Sequence, residues 1–417
     1  MISRRITSRL GGIGEALADR NFRIFTIGSV TSWISFFMQV VAVSWTAWEL
    51  THSTTWLAVI ALLEIAPNIL LVPLASTLAD RYDRYRIVNI SYVLALLQAL
   101  ALAILAYAGL LTIWPLAILV FLHGAIHSFS VPASYGMLPR FVARERLASA
   151  IAVNSAYTQV AIFAGPALAG WLILHHGTPL AYAVNALGYV VYLVSVAFLR
   201  TPSDYKPPET SGRSVLGDLV GGARYIFGHQ GIGILLVLML LGDVLSVSIY
   251  HMLPAFSADS LGLGVEGMTT ILAIYGIGAT LAALWLAHGG SKRMASGLVL
   301  RAFAIYACAI GGLVLAGNLW LAAAAALLWG IAGQIRSTGT IALLQISIPD
   351  DQRGRVMGTE FLFSRIAGGI GTFAIGMISE RHGLQLPMLV AVALCLIAWA
   401  YAFSRRKRIA AAFQRRF

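Results

Sequence analysis

Four ionisable side chains lie deep inside runs of apolar residues: Glu64, Asp243, Arg336 and Arg365. A charge at the centre of a bilayer costs roughly 2.5–3.5 kcal/mol on insertion scales, so such residues are paired, functional or both. At the rise of an α-helix, Glu64 lies roughly 12 Å into its run and Arg365 roughly 14 Å into its own. Asp243 falls near the middle of its run, and Arg336 in the inner half. Burial raises the pKa of a carboxylate and a neighbouring guanidinium lowers it. A carboxyl whose partner departs can therefore take up and release a proton, which makes Asp243 and Glu64 candidate proton-coupling groups. Static pairs with Arg336 and Arg365 that hold helices together are the alternative. His123 and His127 are four residues apart and share one helix face. They could relay a proton, touch a ligand or simply bond one helix to another. No further ligands accompany them, so neither a metal site nor a cofactor is expected.

The elements that hold these residues are membrane spans. Of 417 residues, 59% are hydrophobic and 11% charged, and the mean hydropathy is +0.81. A soluble chain carries about 25% charged residues. Here the apolar residues form runs of about 20, the length that crosses a bilayer as helix. The expected fold is an all-α membrane protein of twelve transmembrane helices in two pseudo-symmetric six-helix halves. Residues 1–21 read as a basic tail, 22–200 as the first half, 201–231 as a linker containing an amphipathic helix, 232–404 as the second half, and 405–417 as a second basic tail. The fourth span is expected to end near Val131, before a loop from Pro132 to Leu147. The eleventh is expected from about Val356 to Ser379.

The net charge of +12 does not point to nucleic acid, because no soluble segment could present a basic face. Topology and anionic lipid headgroups account for it. Outside the spans, Lys and Arg collect in the two tails and in alternate loops, such as Arg81/Arg84/Arg86 and Arg353/Arg355. The opposite loops carry only Arg381, so both termini are expected on the cytoplasmic side. No cleavable signal peptide is expected, since Met1 to Arg20 lacks an apolar core before a cleavage site. Cys308 and Cys395 lie in apolar runs and read as small packing residues. Trp48, Trp56, Trp114 and Trp320, at outer span ends, read as interfacial anchors. A weak internal repeat supports two parallel halves: Leu138-Pro139-Arg140 corresponds to Ile348-Pro349-Asp350, and His176-Gly177 to His382-Gly383.

The loop after the second span carries Leu78-Ala79-Asp80-Arg81 and Arg84, with Ser76, Asp83 and Tyr85 at positions where the related pattern has Gly, Gly and a basic residue. This resembles the hairpin motif of the major facilitator superfamily, and the likeness extends over almost the whole chain. The Ala-Asp-Arg-x-Asp-Arg form resembles the branch that contains the enterobactin exporter and the macrolide efflux proteins. Pro132-Ala133, Leu138-Pro139, Gln345, Pro349-Asp350 and Arg353-Gly354-Arg355 point to the same branch. In the fifth span, Gly165-Pro166-Ala167-Leu168-Ala169-Gly170 is similar to the motif of proton-driven antiporters, with Ala161 and Ala169 replacing two glycines. Ordinary small-residue packing is the alternative. The fourth span lacks the Arg that many proton-coupled relatives carry there, and offers His123 and His127 instead.

The resemblance implies a secondary active transporter of the bacterial inner membrane that exports a small siderophore- or drug-like molecule against protons by alternating access. It is expected to work as a monomer among membrane lipids. It also implies that the first, fourth, seventh and tenth spans line a central cavity, while the second and eleventh meet across the halves. Glu64 with Arg365 would then be a latch, and Asp243 with Arg336 would lie near the substrate path. Asp80, Arg81, Asp83 and Arg84 would form a cytoplasmic gate. Trp33, Gln39, Trp45 and Gln334 are candidates for substrate contact. A lysophospholipid or lipid flippase, an uptake permease and a transport-inactive receptor or sensor remain as alternatives. No nucleotide-binding loop is present to couple ATP. No nucleophile–base pair at catalytic spacing suggests an enzyme.

Overall fold

The computed structural model describes residues 18–137, 141–142, 146–199, 215–289 and 296–414. The described elements are helices. In the first part of the chain these are α1 (Arg20–Thr51), α2 (Thr54–Arg81), α3 (Arg84–Tyr107), α4 (Ile113–Met137), α5 (Leu147–His176) and α6 (Thr178–Ala197). A shorter helix, α7 (Val215–Gly228), follows. Then come α8 (Gln230–Ala255), α9 (Val265–Gly289), α10 (Ser296–Val314), α11 (Leu319–Ser347), α12 (Asp350–His382), α13 (Gln385–Ser404) and α14 (Arg406–Gln414). Among the described residues, twelve helices, all but α7 and α14, are long and apolar enough to cross a membrane. Helix is what such a sequence must form there, because hydrocarbon offers no partner to a backbone N–H or C=O.

Local signals set several helix ends. Asp83 stands just before α3 and its Oδ1 accepts from the Tyr85 backbone N–H at 3.1 Å. Asn318 does the same for α11 by accepting from Leu321 N at 2.9 Å. The repeated His-Gly pairs close α5 and α12. Gly177 (φ +82°) and Gly383 (φ +72°) both adopt a backbone that L side chains rarely take.

Four boundaries differ from expectation, each for a packing or backbone reason. α4 runs on through Pro132 to Met137, because Ala133 and Met137 are completely buried in the core beside Phe22 and Val88. α12 starts at Asp350, six residues before Val356, with Pro349 supplying an extended N-cap (φ −54°, ψ 147°). α8 is extended by a π-helical turn, Phe256–Ser260, whose Phe256 and Ser257 are buried. The basic tail folds as α14, which buries Ile409 against α8, α10 and α13 while Arg405 and Arg406 lie over the rings of Tyr401 and Phe403. Two residue types also differ. Trp48 is only 4% exposed and packs in the interior, whereas Trp114 and Trp320 lie open, as interfacial anchors do. Cys308 is exposed rather than packed, and Cys395 is buried.

The chain forms two compact units. One comprises Met1–Thr46 with Ala66–Ser211, the other Ala47–Ile65 with Gly212–Phe417. The first half of α2 therefore belongs with the second unit, where it is stitched to α12. Thr54 Oγ1 lies 2.9 Å from Gly376 O and 3.1 Å from Glu380 Oε2. Glu380 Oε2 also accepts from Ser53 Oγ at 2.9 Å and from Thr55 N at 3.1 Å. A carboxylate on one helix thus caps the first turn of another, where the helix dipole favours an anion. Close approach is possible because residue 376 has no side chain; a Cβ there would meet Thr54 O at 2.7 Å and Met252 Cε at 3.1 Å. We expect Gly376→Val to lower stability by about 1–3 kcal/mol, the usual effect of overpacking, read as thermal unfolding of the detergent-solubilised protein.

Candidate functional site

The second unit holds a buried cluster of charge. Arg336 on α11 is 4% exposed, and its Nη2 donates to Asp243 Oδ1 on α8 at 3.0 Å. The guanidinium also lies over the rings of Tyr306, at 4.6 Å, and Phe303, at 5.4 Å. Tyr306 in turn donates to Gly242 O at 2.8 Å, which fixes the ring beneath the charge. Asp243 Oδ2 accepts a hydrogen bond from Ser364 on α12. Arg365, the next residue, is within Coulombic reach of Asp243, Glu64 and a third acid, Glu360. The structure therefore brings Glu64, Asp243, Arg336 and Arg365 into one unit, and adds Glu360 and Ser364.

Glu360 has no counterpart among the sequence candidates. An eleventh span starting near Val356 puts it at a helix end, where a carboxylate is unremarked. The start at Asp350 puts it about ten residues, roughly 15 Å, into the helix. The spacing of Glu360 and Ser364 was the available signal, since residues four apart share a face.

In the first unit, an uncharged cavity opens among α1, α3, α4, α5 and α6, with about 670 Å³ of space counting its mouth. Trp33 and Phe36 of α1, Tyr92 of α3, His123 and His127 of α4 and Tyr189 of α6 form its aromatic wall. Phe36 stacks on His127 with ring centroids 4.4 Å apart and on His123 at 5.5 Å. His123 Nε2 is 3.3 Å from Tyr189 Oη, so this histidine both lines the cavity and bonds two helices. Serine hydroxyls and Asn154 supply hydrogen-bonding groups, and the described lining contains no Asp, Glu, Lys or Arg. Phe36, Tyr92 and Tyr189 went unmarked in the sequence because single aromatics at helical spacing are what any core contains.

Other candidates fall elsewhere. Gln39 is 1% exposed and Trp45 is 8% exposed, both packed in the interior and absent from the cavity wall. Gln334 donates to Thr338 Oγ1 at 2.8 Å, one turn along its own helix. In the hairpin, Asp83 is the residue that caps a helix, and Arg84 opens α3. The side chains of Asp80 and Arg81 lie outside the described set. Gly165 is buried where α5 meets α1; a Cβ there would meet Ile34 O at 2.9 Å and Met38 N at 3.0 Å. Pro166 follows inside the same helix, and Gly170 is buried one turn on.

Comparison with known proteins decides the family. Residues 15–413 match the family model described as transmembrane secretion effector, one of the major facilitator type. The chain belongs to the major facilitator superfamily. This makes it a multi-pass membrane transporter. The superfamily member macrolide efflux protein A of Streptococcus pyogenes is 22% identical over 376 residues, covering 89% of this chain and 93% of that one. The enterobactin exporter EntS of Escherichia coli is 24% identical over 393 residues, covering 90% and 91%. Among solved structures, a bacterial homologue of the human lysosomal transporter Spinster, inward-facing and occupied, superposes with a TM-score of 0.72 at 14% identity over 94% of this chain and 97% of that one. That likeness concerns the fold.

Removal of one member of a buried ion pair strands the other. We expect Asp243→Asn to destabilise this superfamily member by about 3–5 kcal/mol, and Asp243→Asn with Arg336→Met to recover most of the loss, both read as thermal unfolding in detergent.

Proposed function

We propose that this protein is a secondary active transporter that exports a small organic molecule in exchange for protons, by alternating access between its two six-helix halves. The observation that carries the reading is the buried cluster of Asp243, Arg336, Arg365, Glu64 and Glu360. Among the described residues, three carboxylates share two guanidinium groups there, an imbalance that one exchangeable proton would relieve. Export is favoured by two relatives matched over more than nine-tenths of their length, a macrolide efflux protein and an enterobactin exporter. In this reading both termini face the cytoplasm, the protein resides in the bacterial inner membrane as a monomer, and Glu64 with Arg365 works as a latch. Asp80, Arg81, Asp83 and Arg84 form the cytoplasmic gate. The Gly165-Pro166-Gly170 segment keeps α5 close to α1.

The substrate enters the cavity of the first unit. Its wall is aromatic and hydroxylated and carries no formal charge, which suits an uncharged molecule with an aromatic face and several hydrogen-bonding groups. His127 and Trp33, in mutual edge contact at 5.8 Å, offer such a face its first surface.

Two measurements test this. In proteoliposomes with an internal pH-sensitive dye, siderophores, macrolides and lysolipids are presented in turn to wild type, Asp243→Asn and Glu64→Gln. The reading expects one class of ligand to trigger proton flux and at least one variant to abolish it. Ligand movement without proton flux, unchanged in both variants, would reject proton exchange. Separately, Trp33→Ala and Phe36→Ala should each weaken the apparent affinity for the transported ligand about two- to tenfold, the worth of one aromatic contact, without changing the protons moved per ligand.

A further inference from the structure

Glu360 is only 6% exposed, yet no guanidinium belongs to it alone. Arg336 is committed to Asp243. Arg365 serves Asp243, Glu64 and Glu360 together. Ser364, one turn along α12 from Glu360, stands between the two acids. It donates its single hydroxyl proton to Asp243 Oδ2, and the Glu360 carboxyl, one turn away on the same helix, competes for that same proton. A serine has one proton to give. With that proton on Asp243, Glu360 can bond Ser364 only as the donor, in its neutral acid form. Charge counting over the cluster leaves Glu64 and Glu360, and the single hydroxyl proton of Ser364 selects Glu360.

We propose that Glu360 is the carboxyl that holds the coupling proton at rest, and that Ser364 conducts this proton to Asp243. The proposal rests on the proton-exchange reading for its role in transport, but not for the existence of the protonated site. In the step, the Glu360 O–H bond breaks as its proton passes to Ser364 Oγ, and the Ser364 hydroxyl proton passes to Asp243 Oδ2. Glu360 becomes a carboxylate, Ser364 is regenerated, and Asp243 becomes a neutral acid. Arg336 then loses its ionic partner, while the new carboxylate faces Arg365 on its own helix. One proton hop thus replaces an ion pair between α8 and α11 with one inside α12. The hop starts about ten residues into α12, roughly 15 Å from its first residue, and ends at the pair that joins two helices.

The surroundings of Glu360 contain the charges such a switch needs. Asp243 faces it from α8, Arg336 from α11, and Ser364 and Arg365 from α12 itself. Glu64 and Tyr250 stand beyond Arg365, Tyr306 and Tyr275 beside Arg336, and Cys395 of α13 near the same guanidinium. On the α7 side, Gly222 and the Leu219 carbonyl pack against Thr359.

The experiment is infrared difference spectroscopy on the full-length protein in lipid nanodiscs at neutral pH, joined to proton flux in proteoliposomes. Wild type should show the C=O stretch of a protonated carboxyl. Glu360→Gln should remove it and Asp243→Asn should keep it. A band that survives Glu360→Gln, or its absence from wild type, overturns the proposal. Should Glu360→Gln fail to fold, the serine pair decides: Ser364→Ala should slow proton flux about tenfold or more, the worth of a hydrogen bond to a charged group. Ser364→Thr, which keeps the hydroxyl, should restore it, and equal flux in the two variants overturns the relay. A wild type with the band but no ligand-driven flux rejects proton exchange and leaves the protonated site standing. Flux that persists in folded Glu360→Gln rejects Glu360 and leaves proton exchange standing.

Discussion

The Asp243–Arg336 ion pair sets how α8 and α11 meet inside the second unit. A guanidinium that is 4% exposed cannot remain in an apolar helix bundle without a counter-charge, so the geometry of α8 and α11 is fixed at the height of this pair. The rings of Phe303 and Tyr306 on α10 close around the same charge, and Ser364 on α12 fills the second oxygen of the carboxylate. Four helices therefore share one electrostatic centre. Charge, and not packing alone, sets where these helices meet.

Chemistry is divided between the two units. The second concentrates formal charge, with three carboxylates and two guanidinium groups reaching one another inside an apolar bundle. The first contains a cavity with aromatic rings, hydroxyls and two histidines and no formal charge in its described wall. In the proposed transport cycle, such a division would let ligand preference and ion coupling vary separately, because a change in the aromatic wall leaves the charge count untouched. This agrees with a family whose relatives carry names as different as macrolide efflux protein and enterobactin exporter.

Much of this was legible in the sequence, for a physical reason: in hydrocarbon, apolar length, loop charge and isolated buried charge are each under strong constraint. The number of spans and the helix before α8 follow from such signals, whereas the pairing of Asp243 with Arg336 came from the resemblance to the superfamily. What escaped depends on tertiary context. Pro132 looks like a stop, yet α4 continues through it because the residues beyond are buried. Glu360 looked terminal until the helix start moved to Asp350. Gln39 and Trp45 have the chemistry of ligand contacts but point into packed interior, a matter of rotation about α1 that composition does not encode. The cavity wall draws on five helices, and only its His123, His127 and Trp33 stood out as unusual residues.

α2 passes from one compact unit to the other within a single continuous helix, leaving the second at Ile65 and entering the first at Ala66. Pro67 lies immediately beyond that crossing. Having no N–H, it leaves the carbonyl of Leu63 without its helical donor, as Pro73 does for Ile69 further along, and so marks one of two loosened turns of the rod. Glu64 sits between that carbonyl and the crossing. α2 is thus a beam shared by both units, and Glu64 stands on the very turn that Pro67 deprives of a hydrogen bond.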